Sequence, residues 1–349
     1  MRVRKIDGER GLSLLKKVGL RNCRFRVQQE QDYLCVPLIR EPSASELNEF
    51  KMALPEFEIC IRPISERVEP QPKLNDLLSD RLPPHVVASL PHAIDFIGDI
   101  AVIEIAPELV SYKQIIGKAI LTAHKRVRTV LAKSGAVSGV YRLRTFEIIS
   151  GEAKTATVHR EHGCIFHVDL AKVYFSPRLS YEHSRIASQV RQGETVVDMF
   201  AGVGPFSILI AKKHEDVHVY AIDVNPEAFE FLKKNVLVNR VESRVKPILG
   251  DARQIVNEKL NGVADRVIMN LPEKAIEYVD AACTAVRPYG GVIHFYEFSN
   301  TPSPLETSKS RVAQALENTN RRLEKILLAR IVRGIAPFNY QIVVDAEIR

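Results

Sequence analysis

Val196-Val197-Asp198-Met199-Phe200-Ala201-Gly202-Val203-Gly204-Pro205-Phe206-Ser207 reads as a buried strand, a tight glycine turn and a helix start, with an acid at the strand end. In a dinucleotide-binding turn the helix N-terminus holds a pyrophosphate, and a third glycine allows close helix packing. Here Ser207 stands in place of that third glycine. An aspartate at the strand end repels a diphosphate but can orient a cationic amino acid. S-adenosylmethionine meets those terms, carrying an ammonium, a carboxylate and a sulfonium. Its carboxylate suits the free amides of a turn leading into a helix, and its ammonium suits a nearby carboxylate or carbonyl.

The chain downstream repeats the pattern. Val217 to Ile222 is a second apolar strand ending in Asp223, twenty-five residues after Asp198, where an acid can chelate a ribose diol. Asn225-Pro226 then starts a helix. Val245 to Leu249 is a third strand, followed by Gly250-Asp251-Ala252, where a carboxylate can accept a bond from an adenine amino group. Asp265 to Met269 runs into Asn270-Leu271-Pro272, a fourth strand with a polar amide at its carboxyl end. Ligands of open parallel sheets sit at that end. Alone, each acid is as well explained by a helix cap. Four in the expected order point to one cofactor site, with Asp198, Phe200, Gly202, Gly204, Asp223, Val224, Asp251, Ala252, Asn270 and Pro272 as its candidate residues.

The 349 residues suffice for two or three domains and a sizeable core. Hydrophobic residues make up 46% and charged residues 26%, ordinary values for a soluble protein. No apolar run approaches a membrane span, and Met1-Arg2-Val3-Arg4-Lys5 leads into no signal-peptide core, so a cytoplasmic protein without membrane partners is expected. Five scattered cysteines with no C-x-x-C pair fit reduced thiols. The net charge of +7 is unevenly placed: from Tyr112 to Arg160 ten Lys and Arg stand against two acids. A charge run is usually a solvated face, but beside a cofactor site it is the footprint expected for a phosphate backbone. Lys118, Lys125, Arg126, Arg128, Arg142 and Arg144 are its candidate RNA contacts.

Four sections are expected. Residues 1–62 read as a small α/β module, with strands within Phe25 to Ile39, a capped helix from Ser43 to Ala53 and a strand from Phe57 to Ile61. Residues 63–84, including Glu69-Pro70-Gln71-Pro72, have linker chemistry, with a short helix from Leu74 to Leu82. Residues 85–168 form a basic α+β domain: a strand from Asp99 to Ile105, a long helix from Lys113 to Lys133, a strand carrying Tyr141-Arg142-Leu143-Arg144, and a hairpin with arms Thr155 to Arg160 and Cys164 to Asp169. His159, His162, Cys164 and His167 in that hairpin match no common zinc spacing, and no metal is expected. Residues 169–349 hold the alternating strands and helices, continuing with a strand from Gly291 to Phe298, a helix from Ser308 to Arg321 and two strands, Glu324 to Arg333 and Tyr340 to Glu347, that pair antiparallel.

The chain resembles the archaeal tRNA (guanine-37-N1)-methyltransferase family. The residues that carry the resemblance are Val140-Tyr141-Arg142-Leu143-Arg144, Val173-Tyr174-Phe175-Ser176-Pro177-Arg178-Leu179 with Glu182, the ten residues from Asp198 to Ser207, Ala221-Ile222-Asp223-Val224-Asn225-Pro226 and Met269-Asn270-Leu271-Pro272. The resemblance implies a class I, Rossmann-like, S-adenosylmethionine-dependent methyltransferase domain with six parallel strands and one antiparallel, preceded by two smaller α+β RNA-binding domains. One of these grips the anticodon stem-loop and the N-terminal one contacts the outer corner of tRNA; a monomer is expected.

The chemistry assigns roles. Guanine N1 normally bears a proton, and its lone pair becomes available only as that proton leaves and charge spreads to O6. A carboxylate can take the proton and a guanidinium can stabilise the oxyanion. Glu182 matches the position that the family implies for the general base, and Arg142 that of the O6 stabiliser. Asn270 is expected to fix the target base or the methionine end of the cofactor, with Pro272 shaping the wall. Tyr174 and Phe175 are candidates to stack on cofactor or base, one of them belonging to the core. Arg178 joins the RNA contacts. After Glu182 the family pattern carries arginine, where this chain has His183, which can hydrogen-bond the cofactor carboxylate with a pH-dependent charge.

Two other readings differ in outcome. A wyosine-pathway enzyme uses the same cofactor and tRNA position but acts on a tricyclic base, and some archaeal members of the family are implied to methylate both; a related transferase moves an aminocarboxypropyl group and releases methylthioadenosine. A non-catalytic tRNA-binding protein with a vestigial pocket is the reading of another class. The intact Asp198, Gly202, Gly204, Asp223, Asp251, Asn270 and Glu182 argue against it.

Overall fold

The computed structural model describes residues 1–63, 73–91, 93–135, 139 and 141–349, so Val140 and the Glu69 to Pro72 stretch lie outside the described residues. The chain divides into two units, Met1–Gln71 and Pro72–Arg349.

In the larger unit, the strand that ends in Asp198 stands in the middle of a seven-stranded sheet. Val245–Leu249, His218–Asp223, Thr195–Asp198, Arg266–Met269, Gly291–Ser299, Asn339–Ile348 and Leu323–Ala336 lie side by side in that order. Asn339–Ile348 is antiparallel to both of its neighbours, and the other six strands share one direction, as expected. Parallel neighbours need a crossover, and the helices Pro205–Lys213, Pro226–Asn239, Ala252–Lys259 and Val279–Ala285 supply it. From Thr195–Asp198 the chain first builds outward to one side and then returns to the other at Arg266–Met269. Two crossover helices therefore part there, at the carboxyl ends of the strands, and open a crevice.

Each face of the sheet is covered. Ile186, Phe206, Ile210, Leu232 and Val236 pack on one, while Ile255, Val279, Val312 and Leu316 pack on the other. The helix expected over Ser308 to Arg321 runs earlier, Pro304–Glu317, with Pro304 in its first turn, where a missing N–H costs nothing.

The basic section adds a four-stranded sheet ordered Asp95–Ile97, Ile100–Ile103, Thr129–Lys133 and Phe146–Gly151. The expected helix from Lys113 to Lys133 is shorter: it ends at Ala123, and Thr129–Lys133 is a buried strand parallel to Ile100–Ile103. Val127, Thr129 and Val130 are β-branched, and pairing in the sheet interior decides their state. The stretch Tyr141-Arg142-Leu143-Arg144 is a turn, and the strand follows it. The hairpin Ala156–Glu161 and Cys164–Asp169 closes through His162 and Gly163, both at positive φ (47° and 77°), which matches the twist of the two arms.

Two expected boundaries move. Cys164, Phe166 and Val168 of the hairpin share a core with Ile186 and Phe206, and with Ile97, Ile100 and Leu131 of the four-stranded sheet, so residues 168 and 169 mark no break in packing. Asn235 and Asn239 bind the hairpin edge as a strand would, accepting from the His167 and Ile165 amides at 2.7 and 2.9 Å and donating to the carbonyls of the same residues. The second half of the expected linker is likewise core: Leu78 and Leu82 are buried against Ile116 and Ile120.

The smaller unit pairs Gln28–Glu30, Tyr33–Cys35, Arg2–Arg4 and Phe57–Glu58 in an antiparallel sheet. Ser43 caps the helix Ala44–Ala53 with a reciprocal Glu46 bond, as its sequence signals. The strand Arg2–Arg4 and the helix Gly8–Lys17 were not expected from the sequence. Val3 and Leu15 from them are fully buried with Phe50.

Candidate active site

The crevice at the switch point is lined by Arg142, Tyr174, Phe200, Gly202, Asp223, Val224, Asp251, Ala252, Asn270 and Pro272, so the structure gathers ten of the expected site residues in one place. Gly202 sits at φ 57° and its N–H donates to Asp223 Oδ2 at 2.7 Å, tying the glycine turn to the second strand end. The Asn225 amide donates to the other oxygen of Asp223 at 2.9 Å. Burial raises the Asp223 carboxyl above the usual carboxylate range, opposed by these two amides. Asp251 caps the helix Ala252–Lys259 through the Gln254 amide, 3.1 Å, and accepts from the Tyr278 hydroxyl at 3.3 Å. Phe200 stacks edge-on against Tyr278, with ring centroids 5.1 Å apart. These rings, with Val224, Ala252 and Pro272, make one end of the crevice apolar.

Among the described residues, three buried groups at this site have polar atoms without partners. Asp198 is fully buried: Ser207 donates to its Oδ2 at 2.7 Å, and its Oδ1 has no hydrogen bond. Burial pushes this carboxyl up to about 7, against the pull of Ser207. Asn270 Oδ1 is also buried and unpartnered. Arg142 takes a left-handed backbone conformation, φ 56°, uncommon for a side chain of its size. Its Nε and Nη1 are buried without acceptors, while its guanidinium lies 5.3 Å from the Tyr174 ring centre and one edge reaches Glu273 at 3.4 Å. Unpaired buried donors and acceptors are costly, and a ligand that supplies their complements recovers that cost. An amino acid ammonium fits the Asn270 oxygen, which lines the crevice, so the residues present suit S-adenosylmethionine.

Five expected site residues lie elsewhere. Gly204 (φ 92°) forms the turn and leaves room for Leu232, whose Cδ1 would lie 2.5 Å from an added Cβ; it does not line the crevice. Asp198 lies behind the crevice wall and not on it. Phe175 points away from the crevice and packs against His159 and Phe166, so Tyr174 is the ring that faces the site. His183 is buried against Phe206, with Nδ1 2.6 Å from Glu161 Oε1, and is out of reach as a cofactor ligand. Glu182 is buried as well. Its carboxylate accepts from the Tyr296 hydroxyl at 2.7 Å and from Arg185 Nε at 3.0 Å, and it is paired with Arg330. Tyr296 precedes the crevice residue Phe298 by two strand positions, and Glu182 itself does not line the crevice.

Of the expected RNA contacts, Lys118, Lys125, Arg126 and Arg128 are exposed. Arg144 donates to the Gly135 carbonyl at 2.9 Å, and Arg178 pairs with Asp95 at 2.5 Å. Tyr278, Arg333 and Gln341 line the crevice without having been expected. Gln341 carried a signal, being a polar residue immediately before the apolar run Ile342-Val343-Val344. Nothing local marks Tyr278 or Arg333.

A parallel sheet with a glycine turn, acids at successive strand ends and a crevice at the switch point define a class I methyltransferase. The comparisons with known proteins narrow this. Residues 157–325 match the TRM5/TYW2 methyltransferase domain, and residues 74–155 match the TYW2 N-terminal domain. The tRNA (guanine(37)-N(1))-methyltransferase Trm5b of Pyrococcus abyssi is 37% identical over 342 residues, 98% of this chain and 96% of that protein. The tRNA 4-demethylwyosine(37)-methyltransferase Taw21 of Saccharolobus solfataricus is 37% identical over 259 residues, covering 73% of this chain and 93% of that protein. The solved complex of aTrm5 with tRNALeu superposes with a TM-score of 0.70 at 32% identity, over 100% of this chain and 99% of that one. The chain therefore belongs to the TRM5/TYW2 methyltransferase family, whose cofactor is S-adenosylmethionine.

Proposed function

We propose that the protein methylates N1 of guanosine 37 in tRNA. The observation that carries this reading is that one crevice is lined by Arg142, whose Nε and Nη1 have no acceptor among the described residues, and by Asn270, whose Oδ1 likewise has no donor. A guanine edge offers the complement: O6 accepts from Arg142, and an N–H of the base donates to Asn270. Tyr174 supplies the ring on which an unstacked purine rests.

The bound cofactor supplies an activated methyl group, and the protein aligns the acceptor nitrogen and controls its proton. Arg142 favours loss of the N1 proton by holding the charge that gathers on O6, in a site where the guanidinium is already desolvated. Glu182 is proposed to take the proton. Its carboxylate is paired with Arg185 and Arg330, and proton transfer requires it to leave that pairing. The exposed cations Lys118, Lys125, Arg126 and Arg128, with Arg144 and Arg178, are proposed to track the phosphate backbone of the anticodon stem-loop, and the unit Met1–Gln71 to meet the outer corner of tRNA. Among the described residues no helix is long and apolar enough to cross a membrane. Action in the cytoplasm is proposed from the tRNA substrates named for the relatives.

Incubation of the protein with unmodified tRNA transcript and labelled cofactor, followed by nucleoside analysis, tests the reading. N1-methylguanosine at position 37 supports it, and its absence with intact cofactor binding overturns it. The likeness to Taw21 favours a second methylation, on 4-demethylwyosine at the same position. tRNA carrying that base tests it, with S-adenosylhomocysteine as co-product; methylthioadenosine would instead identify aminocarboxypropyl transfer.

A further inference from the structure

A second cleft adjoins the first, and Arg142, Tyr174 and Arg333 line both. Lys133, Arg144 and Arg178 make this second cleft basic. Most of its cations already have carboxylates: Lys133 lies 3.4 Å from Glu104, Arg178 2.5 Å from Asp95 and Arg142 3.4 Å from Glu273. Arg333 differs. This half-buried guanidinium donates from Nε to Gln341 Oε1 (2.9 Å), from Nη1 to Ser176 Oγ (3.0 Å) and from Nη2 to the Tyr174 hydroxyl (3.4 Å), all neutral oxygens. Among the described residues it forms no ion pair.

Three neutral acceptors fix the guanidinium plane and leave its charge uncompensated at the point where the two clefts meet. A rigid, partly desolvated and unpaired arginine is organised for a bidentate anion such as a phosphodiester. We infer that Arg333 binds a phosphodiester next to the target nucleotide, at the place where the RNA strand leaves the basic cleft and its base enters the crevice. This rests on the reading that an RNA base enters the crevice. Arg333 also braces Tyr174 from the hydroxyl end while Arg142 covers its ring, so the same interaction sets the stacking surface when the phosphate arrives.

The experiment compares the parent with Arg333→Gln and Arg333→Lys on full-length tRNA. A second set of tRNAs carries a neutral methylphosphonate at the linkage 5′ or 3′ of the target guanosine. Arg333→Gln is expected to weaken tRNA binding roughly tenfold. It should also lower the slope of log affinity against log salt by about one unit, with cofactor affinity unchanged. Arg333→Lys should keep most of the slope. One of the two methylphosphonates should weaken the parent and leave Arg333→Gln unaffected. An unchanged salt slope, or methylphosphonate losses that add in full to the mutation at both linkages, overturns the inference; so does a loss of cofactor affinity with an unchanged slope, which assigns Arg333 to the crevice wall alone. Because these are binding measurements, they decide the role of Arg333 even if the parent forms no methylguanosine, an outcome that counts against the functional reading and not against this one.

Discussion

The Tyr296 hydroxyl donates to the Glu182 carboxylate across 2.7 Å, and two residues further along the same strand Phe298 lines the crevice that holds Arg142 and Asn270. The pair belongs to a buried polar column. Arg185 joins Glu182 to Asp345, His294 Nδ1 lies 2.6 Å from the other side of Asp345, and Arg266 links His294 to Glu194. Such a column fixes the Glu182 carboxylate in place among paired cations, which makes the proposed proton acceptor a structural element as well.

Glu182→Gln separates these roles. Removing one charge from a buried pair typically costs about 3–5 kcal/mol, so the melting temperature should fall. At a temperature where the variant remains folded, single-turnover methyl transfer should drop by roughly 10²–10⁴-fold if Glu182 accepts the proton. Higher pH should partly restore it, because solvent then removes the N1 proton more readily. A variant that is less stable but transfers at the parental rate across pH leaves Glu182 only the structural role.

Asp198 predicts a pH dependence of cofactor binding. Burial holds its carboxyl at about 7, so below that pH the free protein carries a proton there. Asp198 lies behind the crevice wall, and a cationic ligand in the crevice favours its ionised form through the wall, so that binding releases the proton. Cofactor affinity should therefore rise with pH up to about 7 and level off above it, by at most about one log unit per pH unit. Calorimetry in buffers of different ionisation enthalpy should detect the released proton in the parent and none in Asp198→Asn.

Asp223→Ala should weaken cofactor binding by roughly 10–100-fold while leaving tRNA affinity nearly unchanged, since a charged hydrogen-bond acceptor is removed and the Gly202 amide is freed. Equal cofactor affinity in variant and parent removes Asp223 from the ribose role.

Reversing charge at Lys118, Lys125, Arg126 and Arg128 together should reduce tRNA affinity and flatten its salt dependence by about one unit for each phosphate that is no longer neutralised. Each of these side chains is exposed, so the fold should survive, and an unchanged slope would place the RNA on another surface.

By itself the amino-acid sequence determined the sheet, because its strands are short apolar runs ending in acids and its turn demands glycine: Gly202 and Gly204 both have positive φ, and Asp223, Asp251 and Asn270 all reach the crevice. Local pattern carries that information, since a strand's period and a turn's backbone are properties of neighbouring residues. Tertiary structure decided which side chains face inward. Tyr174 and Phe175 are adjacent, yet only one lines the crevice. Glu182 and His183 are adjacent as well, and the fold buries both, the first against Tyr296, Arg185 and Arg330 and the second against Glu161. Arg333 reaches the site from a strand over 150 residues beyond Tyr174, brought there by the antiparallel pairing of the last two strands. Such partners meet only when the sheet closes, and burial, charge pairing and register across the fold, none of them local in sequence, then set their roles.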